Sequence, residues 1–201
     1  MKKLIALCAA VLVLCAHTTS ASAVELSHTV VKGDTMWKLA VKYQIGTQEI
    51  IDANPQISDP NLIYPGQVLS IPQIDNTVSS FEREVVRLVN EVRAKNGLKP
   101  LVENWELSRV ARYKSQDMVE NRYFSHTSPT YGTPFQMIKA FGLTYRTAGE
   151  NIAYGQKTPQ AVVNAWMNSS GHRANILNPS YTQIGVGYVA NGNYWTQMFI
   201  G

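Results

Sequence analysis

His126 and His172 of this 201-residue chain have serines near them in the sequence, in Phe124-Ser125-His126 and in Ser169-Ser170-Gly171-His172. An imidazole that takes a proton from serine makes a nucleophile, and one that takes a proton from water makes hydroxide. Adjacency in the chain is not hydrogen-bond reach, however, and no Gly-x-Ser-x-Gly elbow lifts a serine onto a strand-to-helix turn. Imidazoles also hold divalent ions such as zinc, yet no His-x-x-x-His spacing occurs, so only the fold can bring the two rings together. Thiol chemistry is excluded beyond the amino terminus. Both cysteines, Cys8 and Cys15, fall within residues 1–23, which leaves the remainder with neither a thiol nucleophile nor a disulfide.

Residues 1–23 read as a secretory signal peptide: Lys2 and Lys3, an apolar run from Leu4 to Ala16, then the small-x-small site Ala21-Ser22-Ala23. The run is too short for a membrane span, so the mature chain is expected to have no transmembrane segment. A composition of 45% apolar and 16% charged residues excludes a disordered or collagen-like chain. Charge differs by segment. Residues 24–75 hold three lysines against six acids, a net −3, whereas residues 76–201 carry a net +5. Neither value, nor any run of Lys or Arg, supports a nucleic-acid partner. The basic half would suit anionic wall polymers, though a solvated surface explains it as well.

Elements that could position these groups fall into two units. A polar, aperiodic stretch from Pro72 to Ser80 divides them, which predicts a first domain over 24–75, a linker over 76–80 and a second domain over 81–201. The first domain reads as strand, helix, helix, strand. His28 to Val31 is β-rich, Gly33 supplies a turn, Asp34 or Thr35 can cap a helix over Met36 to Tyr43, a second helix spans Thr47 to Ala53, and Gln67 to Pro72 closes as a strand. In the second domain Phe81, Val85, Leu88, Val89 and Val92 recur at helical spacing, and Trp105 to Asn121 carries Leu107, Val110, Ala111, Lys114 and Met118 on one face. Thr133-Pro134 and Thr158-Pro159 each place a capping hydroxyl before a proline, the second opening a helix toward Ser170-Gly171. Ile184 to Val189 and Tyr194 to Phe199 around Asn191-Gly192 read as a hairpin. The fold class is therefore α+β.

The first domain resembles a LysM module over HTVVKGDTMWKLAVKYQIGTQEIIDANPQISDPNLIYPGQVLSIP, with GDT before the helix, ANP inside and NLIYPGQ before the final IP. The resemblance implies a βααβ fold and a shallow groove for N-acetylglucosamine polymers such as peptidoglycan. Its walls would be Gly33, Asp34, Thr35 and Met36 on one side and Asn61, Leu62, Ile63 and Tyr64 on the other. A groove of backbone amides with apolar walls suits an N-acetyl sugar, although Leu62 and Ile63 could equally be core and Gly33 merely a turn.

From Phe81 onward the chain resembles the CAP superfamily, in its bacterial secreted branch, through FSHTSP, GENIA, WMNSSGHRANILNPSYTQIGVGY and YWTQMFIG. The resemblance implies an α-β-α sandwich whose cavity gathers His126, Glu150 and His172. Relatives usually add an acid just after the Trp of the fourth helix, but Met167-Asn168-Ser169-Ser170 follows Trp166 here. Two imidazoles and a carboxylate could hold a divalent metal such as zinc through His126 and His172, act on a water with Glu150 orienting, or form a self-satisfied polar cluster. The preferred reading is a secreted, wall-associated binding protein, anchored by the LysM module; a metal-dependent or water-activating hydrolase and a binder of a small ligand or protein partner are the alternatives. The domain pair also resembles proteins placed in the spore coat or cortex. Asn151 is expected to cap or bond backbone near Glu150, Arg173 and Asn175 to stitch the loop after the fourth helix, His28 to be exposed, and Trp37, Trp105, Trp166 and Trp195 to be core or rim aromatics.

Overall fold

The computed structural model describes residues 26–201; the segment read as a signal peptide lies outside the described residues. The amino-terminal unit runs β1 (Leu26–Thr29), α1 (Met36–Tyr43), α2 (Thr47–Asp52) and β2 (Val68–Ile71). Its strands pair antiparallel, with Leu26 opposite Ile71 and Thr29 opposite Val68. The Thr35 hydroxyl accepts from the Lys38 amide and starts α1, while Gln44 ends it in the left-handed region. Apolar positions of both helices meet Val30, Leu69 and Ile71 in one small core. Asn54 fastens α2 to β2, donating to the carbonyls of Ile50 and Ser70 and accepting from the Ser70 amide.

His28 is not exposed as expected. Its side chain keeps only 10% of its surface and bonds Tyr43 through Nδ1 and Asp34 through Nε2, each at 2.8 Å. The position reads as an edge residue, but the turn after β1 folds Asp34 back over it.

The residues expected to form a linker, 76–80, are helical. Asp75 accepts from the amides of Thr77 and Val78 and starts α3 (Asn76–Lys95) there, so the connection is continuous with the first helix of the second unit. There follow β3 (Val102–Glu103), α4 (Trp105–Glu120), α5 (Pro134–Ala140), β4 (Ala148–Tyr154), α6 (Pro159–Met167), α7 (Ser170–Ile176), β5 (Gln183–Val189) and β6 (Tyr194–Ile200). The four strands order as β3-β5-β6-β4, parallel between β3 and β5 and antiparallel elsewhere. Thr133 and Thr158 cap α5 and α6, with a proline at the first helical position of each. The helix opened by Thr158 stops at Met167, and α7 begins separately at Ser170.

Alternation along the sheet makes an α-β-α sandwich. Ile184, Val186, Tyr188, Trp195 and Phe199 face α3, α6 and α7. Met198 and Ile200 face α4 and α5, against Leu107, Val110, Ala111, Met137 and Ile138. Between them in β5, Gly185 and Gly187 let α4 lie directly on the sheet. A Cβ at either would come within 2.3 Å of the α4 backbone. Ser108 and Ser115 fasten that contact, Ser108 accepting from the Val186 amide and Ser115 donating to the Gly187 carbonyl. Because α4 is fixed to the sheet so closely, polar groups on its far end become rigid supports for the loop that follows it.

Candidate functional site

Two of the three expected residues are joined. His126, in the loop after α4, places Nδ1 2.7 Å from Oε1 of Glu150 on β4, with one proton between the two atoms. The carboxyl is sunk, its side chain 2% exposed, while the imidazole keeps 53% of its surface open. Burial pushes the Glu150 carboxyl up, and His126 and Lys114 pull the other way. Its second oxygen, Oε2, is buried without a hydrogen-bond partner. His172, near the start of α7, is half-buried; burial first, and then the charge of His126, lowers its affinity for a proton. Its backbone carbonyl accepts from Asn151, 3.1 Å away.

The supporting groups come from α4. Lys114, 1% exposed, donates to the carbonyls of Ser125 at 2.7 Å and His126 at 3.0 Å, and to the Tyr123 hydroxyl at 3.0 Å. One turn on, the Asp117 carboxylate accepts from Tyr123, Ser128, Thr130 and Asn121, a donor set that holds it ionised against burial. A buried cation and a buried anion on one helix therefore clamp the loop that presents His126. On the other face of β4, Asn175 donates to Glu150 O and to Asn151 Oδ1, and Asn151 donates to Gln197 Oε1. Asn151 and Asn175 thus stitch the strands to α7.

Sequence reasoning missed Lys114 and Asp117 as site residues. Lys114 on an otherwise apolar helical stripe, followed by Asp117, was the available signal: charges at such positions are sunk and need partners. Ser125 accepts from the Thr127 amide, and among the described residues no serine hydroxyl bonds either imidazole. Nor does any group of three or more His, Cys, Asp or Glu side chains gather as metal ligands among the described residues. Glu150 Oε1 is engaged by His126, so the donors left over are the two imidazoles and Glu150 Oε2.

In the amino-terminal unit the turns on either side of the expected groove are adjacent, because the amides of Val30 and Gly66 bond the carbonyls of Gln67 and Val30. Gly33, Thr35, Asn61, Leu62 and Tyr64 are exposed there, and Asp34 is half-buried. Met36 is not a wall: it is 4% exposed and packs inward with Leu39 and Ile50. Ile63 is half-buried and packs on the same core.

A family model of the cysteine-rich secretory protein (CAP) family matches residues 86–199 and one of the LysM domain matches residues 28–72. The chain belongs to the CAP family, with a LysM domain before the CAP domain. The Bacillus subtilis protein described as uncharacterized protein YkwD is 63% identical over 126 residues, covering 63% of this chain and 49% of that one. An extracellular protein of Bacillus anthracis containing an SCP domain superimposes with a TM-score of 0.60 at 34% identity, covering 68% of this chain and 47% of that one. This chain spans about half the length of both relatives. Its LysM domain is 44% identical over 45 residues to the spore coat assembly protein ExsA of Bacillus cereus, covering 22% of this chain and 7% of that one.

Proposed function

We propose that this is a secreted, cell-wall-associated binding protein whose LysM domain holds N-acetylglucosamine-containing glycan, peptidoglycan foremost, and thereby concentrates the CAP domain at the wall. The observation that carries the reading is the LysM domain itself, with exposed Gly33, Thr35, Asn61, Leu62 and Tyr64 on two adjoining turns. Backbone amides on those turns suit an N-acetyl group, and Leu62, 51% exposed, suits its methyl. The bidentate pair of Glu49 with Arg109 ties the anchor to the CAP domain, one contact at 2.9 Å. The ExsA likeness favours a spore surface as the wall in question.

Purified peptidoglycan should sediment the protein comprising residues 24–201 and leave in solution a form lacking residues 24–72, which keeps the Asp75 cap. Equal sedimentation of both forms would refute the anchor.

One observation favours a second, catalytic reading of the CAP site. Glu150 offers a buried, unpartnered oxygen beside an imidazole open to solvent, an arrangement able to hand a proton between ligand and water. Turnover of a wall fragment that disappears in His126→Ala while the fold persists would support it; turnover that survives would exclude His126 from the chemistry.

A further inference from the structure

An aromatic cleft lies beside the His126 loop and, Tyr123 apart, takes no part in the contacts described so far. It encloses about 580 Å³ between the end of α4, the end of β4 and the β5–β6 turn. Phe124, Tyr154 and Tyr194 form its floor. Phe124 stands edge-on to Tyr154 with centroids 4.8 Å apart, and Tyr154 stacks on Tyr194 at 5.8 Å. Phe124 is 45% and Tyr154 56% exposed. Two exposed rings beside the half-buried Tyr194 make a patch that a stable monomer gains nothing by displaying.

Both rims are shaped by left-handed backbone. Arg122 has φ 53° and Gly192 φ 78°. At Gly192 a Cβ would lie 2.7 Å from the Tyr194 ring, so glycine lets that ring cover the turn. Among the described residues no carboxylate pairs with Arg122, so the cleft carries one uncommitted cation at its mouth. The Tyr154 and Tyr194 hydroxyls and Asn191 add neutral hydrogen-bonding groups to the lining, beside Val119 and Tyr123.

An added peptide strand does not fit. On the free edge of β4 the outward carbonyl of Glu150 is taken by Asn175 and that of Ile152 by the Trp166 indole. What remains is a pocket with aromatic faces for the C–H face of a ring, amide and phenol groups for hydroxyls, and a guanidinium for a carboxylate.

We infer that the cleft of Phe124, Tyr154, Tyr194 and Arg122 is a second carbohydrate subsite, on the CAP domain, for a sugar unit bearing a carboxylate. The inference rests on the wall-glycan reading and deepens it: the LysM groove takes the neutral N-acetyl sugar, and the aromatic cleft takes an acidic unit of the same kind of polymer. Two weak sites on one chain then bind an alternating polymer more tightly than either alone.

The test titrates the protein spanning residues 24–201, labelled with nitrogen-15, with two disaccharides: N-acetylglucosaminyl-N-acetylmuramic acid, which has a carboxylate, and neutral chitobiose. The Asn191 and Gly192 amides, and that of Gly155, which donates to the Gly192 carbonyl, should shift with the acidic disaccharide. Tyr154→Ala and Tyr194→Ala should abolish those shifts, and Arg122→Gln should weaken them about tenfold, the equivalent of about 1.4 kcal/mol. The Gly33 and Asn61 amides report the LysM groove independently. If they move while Gly192 stays silent, the aromatic subsite is refuted and the anchor stands. If neither set moves, both fall. Equal response of Gly192 to chitobiose, or shifts that survive Tyr154→Ala, would also overturn the assignment.

Discussion

Replacing Lys114 with methionine removes the charged post under the His126 loop while keeping the side chain's length and its apolar stem. In the wild type the ammonium makes three hydrogen bonds, to Ser125 O, His126 O and the Tyr123 hydroxyl, and is 1% exposed. Hydrogen bonds from a charged donor contribute about 1.5–3 kcal/mol each. Relief of the buried cation offsets part of this loss, because burial already lowers the pKa of Lys114. Tyr123 keeps Asp117 as a partner, so the two carbonyls bear most of the effect. The expected net loss is about 3 kcal/mol, which for a chain of this size lowers the melting temperature by roughly 6–12 °C. Differential scanning calorimetry measures the stability. The imidazole resonances of His126, followed in parallel, should show its contact with Glu150 loosened. Lys114→Met stability within about 1 kcal/mol of wild type, with the His126 resonances unchanged, would refute the argument that α4 positions the site through this lysine.

Glu82 is a buried carboxyl on α3 that accepts from the Tyr188 amide at 3.0 Å and from Arg112 at 2.6 Å. Burial pushes its pKa from 4.5 to about 7. The folded state therefore holds a proton that the unfolded state releases, and stability from this group falls as pH rises from about 4.5 through 7, by at most about 3 kcal/mol. Glu82→Gln keeps the Tyr188 contact and should flatten the difference in urea midpoint between pH 5 and pH 8; an unchanged slope would show that Glu82 does not titrate so. Arg93, 1% exposed, donates to the carbonyls of Lys99, Ile176 and Asn178 and so closes α3 onto the end of α7. Arg93→Met should cost about 3 kcal/mol in chemical denaturation, and a neutral effect would mean that water replaces it. Asp34→Ala removes the acceptor shared by His28 and the Val31 amide, so sedimentation with peptidoglycan should weaken several-fold while circular dichroism stays that of the wild type. Undiminished sedimentation would separate the Gly33 turn from glycan binding.

Local signals determined most elements. Threonine-proline pairs capped α5 and α6, helical periodicity marked α3 and α4, and Asn191-Gly192 marked the hairpin, because caps, apolar stripes and tight turns are satisfied within a few residues of chain. Ala148–Tyr154 gave no such signal, since a strand buried on both faces loses the polar-apolar alternation. Residues 76–80 read as linker because their helical character rests on a single cap, Asp75. The order of the motifs carried His126, Glu150 and His172 as candidates. Only the tertiary structure decided which of them touch, that one Glu150 oxygen is left unpaired, that Met36 turns into the core, and that Lys114 and Asp117 hold the loop. The physical reason is that burial is set by elements distant in the chain. Whether a charge is clamped, solvated or stranded depends on what the sheet and α4 bring to it, and Gly185 and Gly187 bring them together only once the sandwich has closed.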